Sequence, residues 1–373
     1  MVCARILVAT LSLAAVQGVI ADSLAFLTWN INGGQASAAV IEARARLAAA
    51  AVGPVDVLML QEVVSVEQVA AAARGMDLGH YAISDLAPPT SITGAWHESL
   101  EVAVASRLPL EGVAEWDTTG REPYGDDHPP RTSAEGIESR SLTLAVDLGE
   151  ARPTRGFLRA DLAGGWSVYS VHWKSSRGES CNAADIANAR LRERQAAGLV
   201  SDARERIAAR RTVVVGGDYN IQAPGRALRV GTDPAVDCRP AGSCEGVCGP
   251  AGRDGYDDSI HQLMTMAGRP RLLSASLDET YVRRRLPGGA IDHILVAGAM
   301  AGRFDTARTP RLAGELWFGS DHRPVLARAR LGSSETLRRQ SWTPASRPAH
   351  RTWIPGERAA PDGHWAVPNL AGR

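Results

Sequence analysis

The sequence predicts an α/β protein of two β-sheets packed face to face and flanked by helices. Three observations lead there. Short apolar runs of strand length alternate with helical stretches over most of the 373 residues, as in layered α/β domains. Several of these runs end in a small polar pattern, so a rigid sheet would hold polar groups where the chain opens to solvent. No glycine-rich phosphate loop opens a helix, which argues against a dinucleotide-binding fold.

The elements follow in chain order. Positions 1–21 begin Met-Val-Cys-Ala-Arg, continue apolar through Ile20 and end in Val-Ile-Ala before Asp22. That is the layout of a secretory signal peptide, and the apolar part is short for a membrane span, although a retained N-terminal anchor is the alternative. Leu24–Ile31 reads as a buried strand, followed by a Gly33-Gly34 turn and an Ala/Arg-rich helix to about Ala51. Val55–Leu60 is a second strand, with Gln61-Glu62 just past its end. Further strands are expected at Glu101–Ser106, Leu142–Val146, Trp166–Val171, Thr212–Val215, Ile291–Val296 and Pro324–Ala329, with a long helix from Ala184 to Arg210. The stretch 222–257 is a Gly-, Pro-, Asp- and Cys-rich loop. From Gly332 the composition turns to Ser, Pro, Arg and isolated Trp, so 332–373 reads as a poorly ordered tail after a domain at 22–331. Trp342, Trp353 and Trp365, near Arg338, Arg339, Arg347 and Arg351, leave open a tail that packs back or meets an anionic surface.

Cysteine usage fits export to a secreted or periplasmic location. Cys3 would leave with the leader, and Cys181, Cys238, Cys244 and Cys248 form an even set with three possible disulfide pairings. A zinc site is the rival, but paired Cys-x-x-Cys units are missing. The 41 basic and 41 acidic side chains cancel, which weakens a case for tight, sequence-indifferent nucleic-acid binding. It leaves room for a nuclease that touches a few phosphates. Lys174 is the sole lysine, and it lies inside a motif.

The motifs carry the chemistry. They are Thr-Trp-Asn-Ile at 28–31, Leu-Gln-Glu-Val at 60–63, Val-His-Trp-Lys-Ser at 171–175, Gly-Gly-Asp-Tyr-Asn at 216–220, Ile-Asp-His-Ile at 291–294 and Gly-Ser-Asp-His at 319–322. Cutting a phosphodiester requires a cation to neutralise phosphate charge, a way to activate water and donors for the transition state. Hard oxygen ligands suit Mg²⁺, with Mn²⁺ as a substitute. Glu62 is the natural principal metal ligand, supported by Asn30, with Asp321 a metal-side or orienting carboxylate. Asp218 can hold or deprotonate water, and Asn220 can donate to a phosphate oxygen, both from one loop whose glycines allow close backbone approach. His322 is a candidate base, Asp292 can fix its tautomer, and His172 is a second imidazole for the phosphate or leaving oxygen. Each residue alone has an ordinary structural explanation, such as a cap, a turn or a surface histidine. The ordered set does not.

These patterns, with Glu-Val-Ala-Val-Ala-Ser-Arg at 101–107, resemble the endonuclease/exonuclease/phosphatase superfamily, which includes deoxyribonuclease I, exonuclease III, bacterial sphingomyelinases and inositol-polyphosphate 5-phosphatases. The resemblance runs from about Leu24 to Leu331. It implies a deoxyribonuclease I-like, four-layer sandwich of two mixed β-sheets flanked by helices, with the site at one mouth of the sheets. By motif, Asn30 and Glu62 match metal-side residues, His172 the phosphate-side histidine, Asp218 and Asn220 the Gly-Asp-x-Asn pair, Asp292 the carboxylate that orients the final histidine, and Asp321 with His322 the closing pair. Arg140, in Ser-Arg-Ser-Leu-Thr-Leu, resembles a phosphate-contacting arginine on a central strand. Glu101 matches an acid that supports His172, with Glu98 as its rival. The implied function is a Mg²⁺-dependent phosphodiesterase, foremost a secreted nuclease on DNA or RNA. A phospholipid or small phosphate-ester hydrolase is the alternative, and a non-catalytic binding protein on the same scaffold the third reading. No stable protein partner is implied.

Overall fold

The computed structural model describes residues 23–34, 36–84, 100–117, 132, 138–141, 156–175, 183–223, 259–283, 286–310 and 318–332. Among them, the first sheet has the order β14-β1-β2-β4-β3. Its strands are β1 (Ser23–Asn30), β2 (Val57–Val63), β3 (His80–Ile83), β4 (Glu101–Ser106) and β14 (Val325–Arg330). The second sheet has the order β10-β13-β9-β8-β7-β5-β6. It comprises β5 (Leu110–Asp117), β6 (Glu138–Ser141), β7 (Phe157–Leu162), β8 (Trp166–His172), β9 (Thr212–Asp218), β10 (Arg271–Leu272) and β13 (Asp292–Ala297). β11 (Tyr281–Arg283) and β12 (Leu286–Gly289) form a separate hairpin. Both sheets are mixed: β1–β2, β8–β9 and β5–β6 run parallel, and the other neighbours antiparallel.

Strand alternation builds four layers. Successive side chains of a strand point to opposite faces, so Phe26, Met59, Val104 and Val325 of one sheet meet Leu158, Val168, Val214 and Ile294 of the other in the inner core. Phe26, Trp166 and Phe304 cluster there, with ring centroids 5.2, 5.4 and 6.0 Å apart. The opposite phase of the first sheet, including Leu27, Leu58 and Ala103, packs beneath α1 (Ala38–Val52) and α2 (Val66–Gly75). In the second sheet Tyr169, Val171, Val213 and Val215 pack beneath α3 (Ala183–Ala208) and α4 (Ser259–Leu263). A polar bolt reinforces that layer: the Arg159 guanidinium reaches both Asp202 oxygens, at 2.5 and 2.6 Å, and the Tyr169 hydroxyl donates to the same carboxylate at 2.5 Å.

The expected α/β sandwich is therefore present, with strand ends that differ from expectation. β2 and β9 run on through Glu62 and Asp218, so these residues belong to strands and not to the loops beyond them. The glycines at 216 and 217 serve packing. A Cβ on Gly216 would lie 2.5 Å from the Met59 sulfur across the sandwich, and one on Gly217 would lie 1.9 Å from the Val171 carbonyl oxygen on β8. Among the described residues Arg140 lies on β6, the last strand in its sheet's order, in register with Trp116 of β5; its side chain lies outside the described residues. α2 starts at Ser65-x-x-Gln68, whose serine hydroxyl accepts from the Gln68 N–H, a capping pattern that was not singled out in the sequence. The leader, Glu98, the strand expected at Leu142–Val146, all the cysteines, most of 222–257 and the tail from 333 lie outside the described residues.

Candidate active site

Alternation also explains why polar residues far apart in sequence meet. Asn30 is in phase with Phe26 on β1, His172 with Val168 on β8, Asp218 with Val214 on β9, and Asp292 with Ile294 on β13, and those apolar partners form the inner core. The four polar residues are thus the inner layer continued past its apolar part. Register brings them level, since His172 pairs with Asp218 across β8–β9 and Asp292 pairs with Asp218 across β9–β13.

The Asp218 carboxylate is the hub. Its Oδ2 lies 3.3 Å from the Asn30 Nδ2 donor, 3.5 Å from His172 Nε2 and 3.8 Å from His322 Nε2, while Oδ1 accepts the Asn220 N–H at 2.9 Å. Burial, followed by the negative charges of Asp292 and Glu62, pushes its pKa up to about 7 against the pull of His322 and the Asn220 N–H. Glu62 joins at the edge, with Oε1 3.7 Å from His172 Nε2 and its side chain 23% exposed. It sits at a register shift of β2 against β4 with φ 57°. Asn220 also has positive φ, 55°. Non-glycine residues rarely adopt this conformation, and such strain gathers at functional sites.

His322 is held on both sides. Its Nδ1 donates to Asp292, with the carboxylate oxygens at 2.9 and 3.1 Å, and the Tyr281 ring lies 4.8 Å from its own. Burial disfavours the charged ring, yet Asp292, Asp218 and Asp321 outweigh it and lift the pKa to about 10, so the imidazolium form prevails at neutral pH. Asp292 is placed by Thr280, whose hydroxyl accepts the Ile291 and Asp292 N–H groups at 3.0 and 2.9 Å.

Several positioning residues were not singled out in the sequence. Ser320 donates to the Asn30 carbonyl at 2.6 Å and accepts the His322 N–H at 3.0 Å, tying the last motif to the first. Its spacing two residues before His322 is the signal of a serine turn. Trp29 Nε1 donates to the His322 carbonyl at 3.3 Å. His293 braces the loop after Asn220, because Nε2 donates to the Ile221 carbonyl at 2.9 Å while Nδ1 accepts from the Ser274 hydroxyl at 2.8 Å. Burial pushes its pKa down to about 4, so it stays neutral. Gln61, beside Glu62, serves the sandwich: Nε2 donates to Thr28 and Ser170 hydroxyls, each at 3.1 Å, across the two sheets.

The remaining expected residues are placed less centrally. Asp321 accepts from Asn32 Nδ2 at 3.4 Å. Glu101 is buried, in phase with Ala103 and Ala105 of the helix-side core, and accepts from the Ser84 hydroxyl at 2.5 Å. As for a cation, Asp218, Asp292 and His322 offer donor atoms within 4.8 Å of one another. The Asp292–His322 hydrogen bond engages two of these three. The partly open Glu62 carboxylate beside Asp218 and Asn30 supplies the hard oxygens that a small divalent cation requires.

The sequence profile described as Endonuclease/Exonuclease/phosphatase family matches residues 27–322, which hold the whole constellation. The chain belongs to this family. The chemistry of the endonuclease/exonuclease/phosphatase family is cleavage of phosphoester bonds, with divalent metals in use, and a hub carboxylate between two imidazoles suits it. Among solved structures the chain is similar to a 3'-5' exonuclease from Neisseria meningitidis, with 20% identity over 82% of this chain and 98% of that one and a TM-score of 0.48. An AP endonuclease from Archaeoglobus fulgidus shows 17% identity over 82% and 98%, with a TM-score of 0.47. An AP endonuclease from Leishmania major shows 17% over 83% and 88%, with a TM-score of 0.48. No curated protein matches the chain.

Proposed function

We propose that this family member is a Mg²⁺-dependent phosphodiesterase that cleaves DNA or RNA outside the cytoplasm, the setting that residues 1–21 imply. The observation that carries the reading is the convergence of Asn30, His172 and His322 on one oxygen of Asp218, at 3.3, 3.5 and 3.8 Å. Glu62, with Asn30 and Asp218 beside it, would hold the cation, and a bound cation neutralises phosphate charge and makes water a better nucleophile. Asp218, whose Oδ2 lies among these donors, is placed to take a proton from the attacking water. His322, kept as imidazolium by Asp292, donates from Nε2 to a phosphate oxygen and so acts as a donor in place of the base expected from its motif. His172 Nε2 faces the same space. Asn220 uses one amide N–H on the Trp173 carbonyl at 3.0 Å and retains another for the phosphate.

Nicking of supercoiled plasmid by the purified protein tests this. Mg²⁺-dependent cleavage, abolished by chelator and reduced at least about 100-fold in Glu62→Ala and His322→Ala, is the expected result. A folded protein inert on DNA and RNA but active on sphingomyelin or bis-p-nitrophenyl phosphate would replace the nucleic-acid reading with the lipid or small-ester one. Metal binding without turnover on any phosphate ester would favour a binding protein.

A further inference from the structure

Lys174 stands just beyond this constellation, and its setting goes beyond what the motifs assign. Along β8, Tyr169, Val171 and Trp173 pack toward α3, while Val168 enters the inner core and Ser170 bonds Gln61 across it. The Trp173 N–H donates to the Asp218 carbonyl at 2.9 Å, so the chain keeps its pairing with β9 one residue past the strand. Alternation then carries Lys174 to the side of His172. His172 is buried there and Lys174 exposed, which marks where the inner layer opens.

The backbone at this point is clamped. The Lys174 N–H donates to Gln195 Oε1 at 3.2 Å, and the Arg192 guanidinium donates to the Lys174 carbonyl at 2.8 Å. Arg192 and Gln195 are each only 2% exposed. Burying a guanidinium and an amide is unfavourable unless they make good hydrogen bonds, and here two such groups of α3 hold the main chain of one surface lysine. The result is a main chain fixed beside a site rich in carboxylates, with an exposed lysine side chain extending from it.

We infer that Lys174 binds the phosphate next to the scissile one in a polynucleotide. Two residues along an extended chain span about 7 Å, so the root of the lysine side chain is offset from His172, whose imidazole faces Asp218. A polynucleotide presents a second phosphate at such an offset, whereas a phosphocholine head group or a mononucleotide does not. The inference rests on the nucleic-acid reading above and narrows it to substrates longer than one nucleotide.

The uniqueness of Lys174 provides a direct probe, since reductive ¹³C-methylation labels this side chain and the N-terminal amine alone. Titration with octathymidylate in the presence of chelator is expected to shift the lysyl resonance saturably, with thymidine monophosphate causing a much smaller shift. In kinetics on an oligonucleotide, Lys174→Ala should lower kcat/KM about tenfold and reduce the log–log salt slope by about one, with Lys174→Arg retaining the slope. Cleavage of DNA by the wild type together with an unmoved resonance and an unchanged slope in Lys174→Ala would overturn the assignment. A wild type inert on DNA and RNA would instead defeat the nuclease reading, and this inference with it.

Discussion

His293 shows how one buried side chain supports a site without facing substrate. The Ile221 carbonyl can only accept, so Nε2 carries the proton, and Nδ1 is left to accept from Ser274. Its folded pKa is about 4 against an ordinary 6.5. Between those values the unfolded chain takes up a proton that the folded chain refuses, so stability is complete above about pH 6.5 and falls as the pH drops toward 4. At about pH 5 the loss attributable to this group is about 2 kcal/mol relative to neutral pH. Urea denaturation of the wild type and His293→Gln at both pH values should show this difference, and equal pH dependence in the two proteins would contradict it. The histidine in Ile-Asp-His-Ile was visible in the sequence; its job was not, because the carbonyl it holds is 72 residues away in the chain.

At the scale of elements, the parallel β8–β9 pair sets the spacing on which the hub depends. Gly217 faces the Val171 carbonyl so closely that a Cβ would lie 1.9 Å from its oxygen, a backbone atom that no rotamer change can move. Gly217→Ala should therefore destabilise by about 3 kcal/mol or more, read as a lower denaturation midpoint, since overpacking of this kind displaces backbone. A midpoint within error of the wild type would mean that the strands separate readily here. Helix and strand existence was legible in part: the apolar periodicity placed β1, β4, β8, α1 and α3 within a few residues. β3, β5, β6, β7, the short strands β10, β11 and β12, and the helices α2 and α4 were not singled out, and the ends of β2 and β9 fell short. In both of these strands pairing extends through polar residues and glycines, which local composition reads as loop.

For the whole molecule, the separation of the two sheets decides whether Asn30 and Glu62 can meet His172, Asp218 and Asp292. Apolar packing sets that separation through most of the sandwich, and Gln61 with Thr28 and Ser170 sets it just beneath the site. Gln61→Met keeps the shape and removes the donor, leaving hydroxyls of both sheets with a partner lost. A destabilisation of about 1–3 kcal/mol is expected, with Ser170→Ala adding less in that background than in the wild type. Full additivity in the double-mutant cycle would show that the link carries no coupling between the sheets.

By itself the sequence determined the chemistry available and its order: carboxylates, amides and imidazoles at the ends of apolar runs, in the succession that carries the family resemblance. Residue type and local periodicity contain that much, because protonation range, ligand hardness and strand-forming tendency belong to side chains and short segments. Tertiary structure alone decided which groups touch. Asp218 became the hub, His322 the imidazolium of the Asp292 pair, Gln61 an inter-sheet tie and His293 a brace, through strand phase, register and the distance between sheets. Those quantities arise when distant segments pack, and burial then shifts the pKa values that set each group's role.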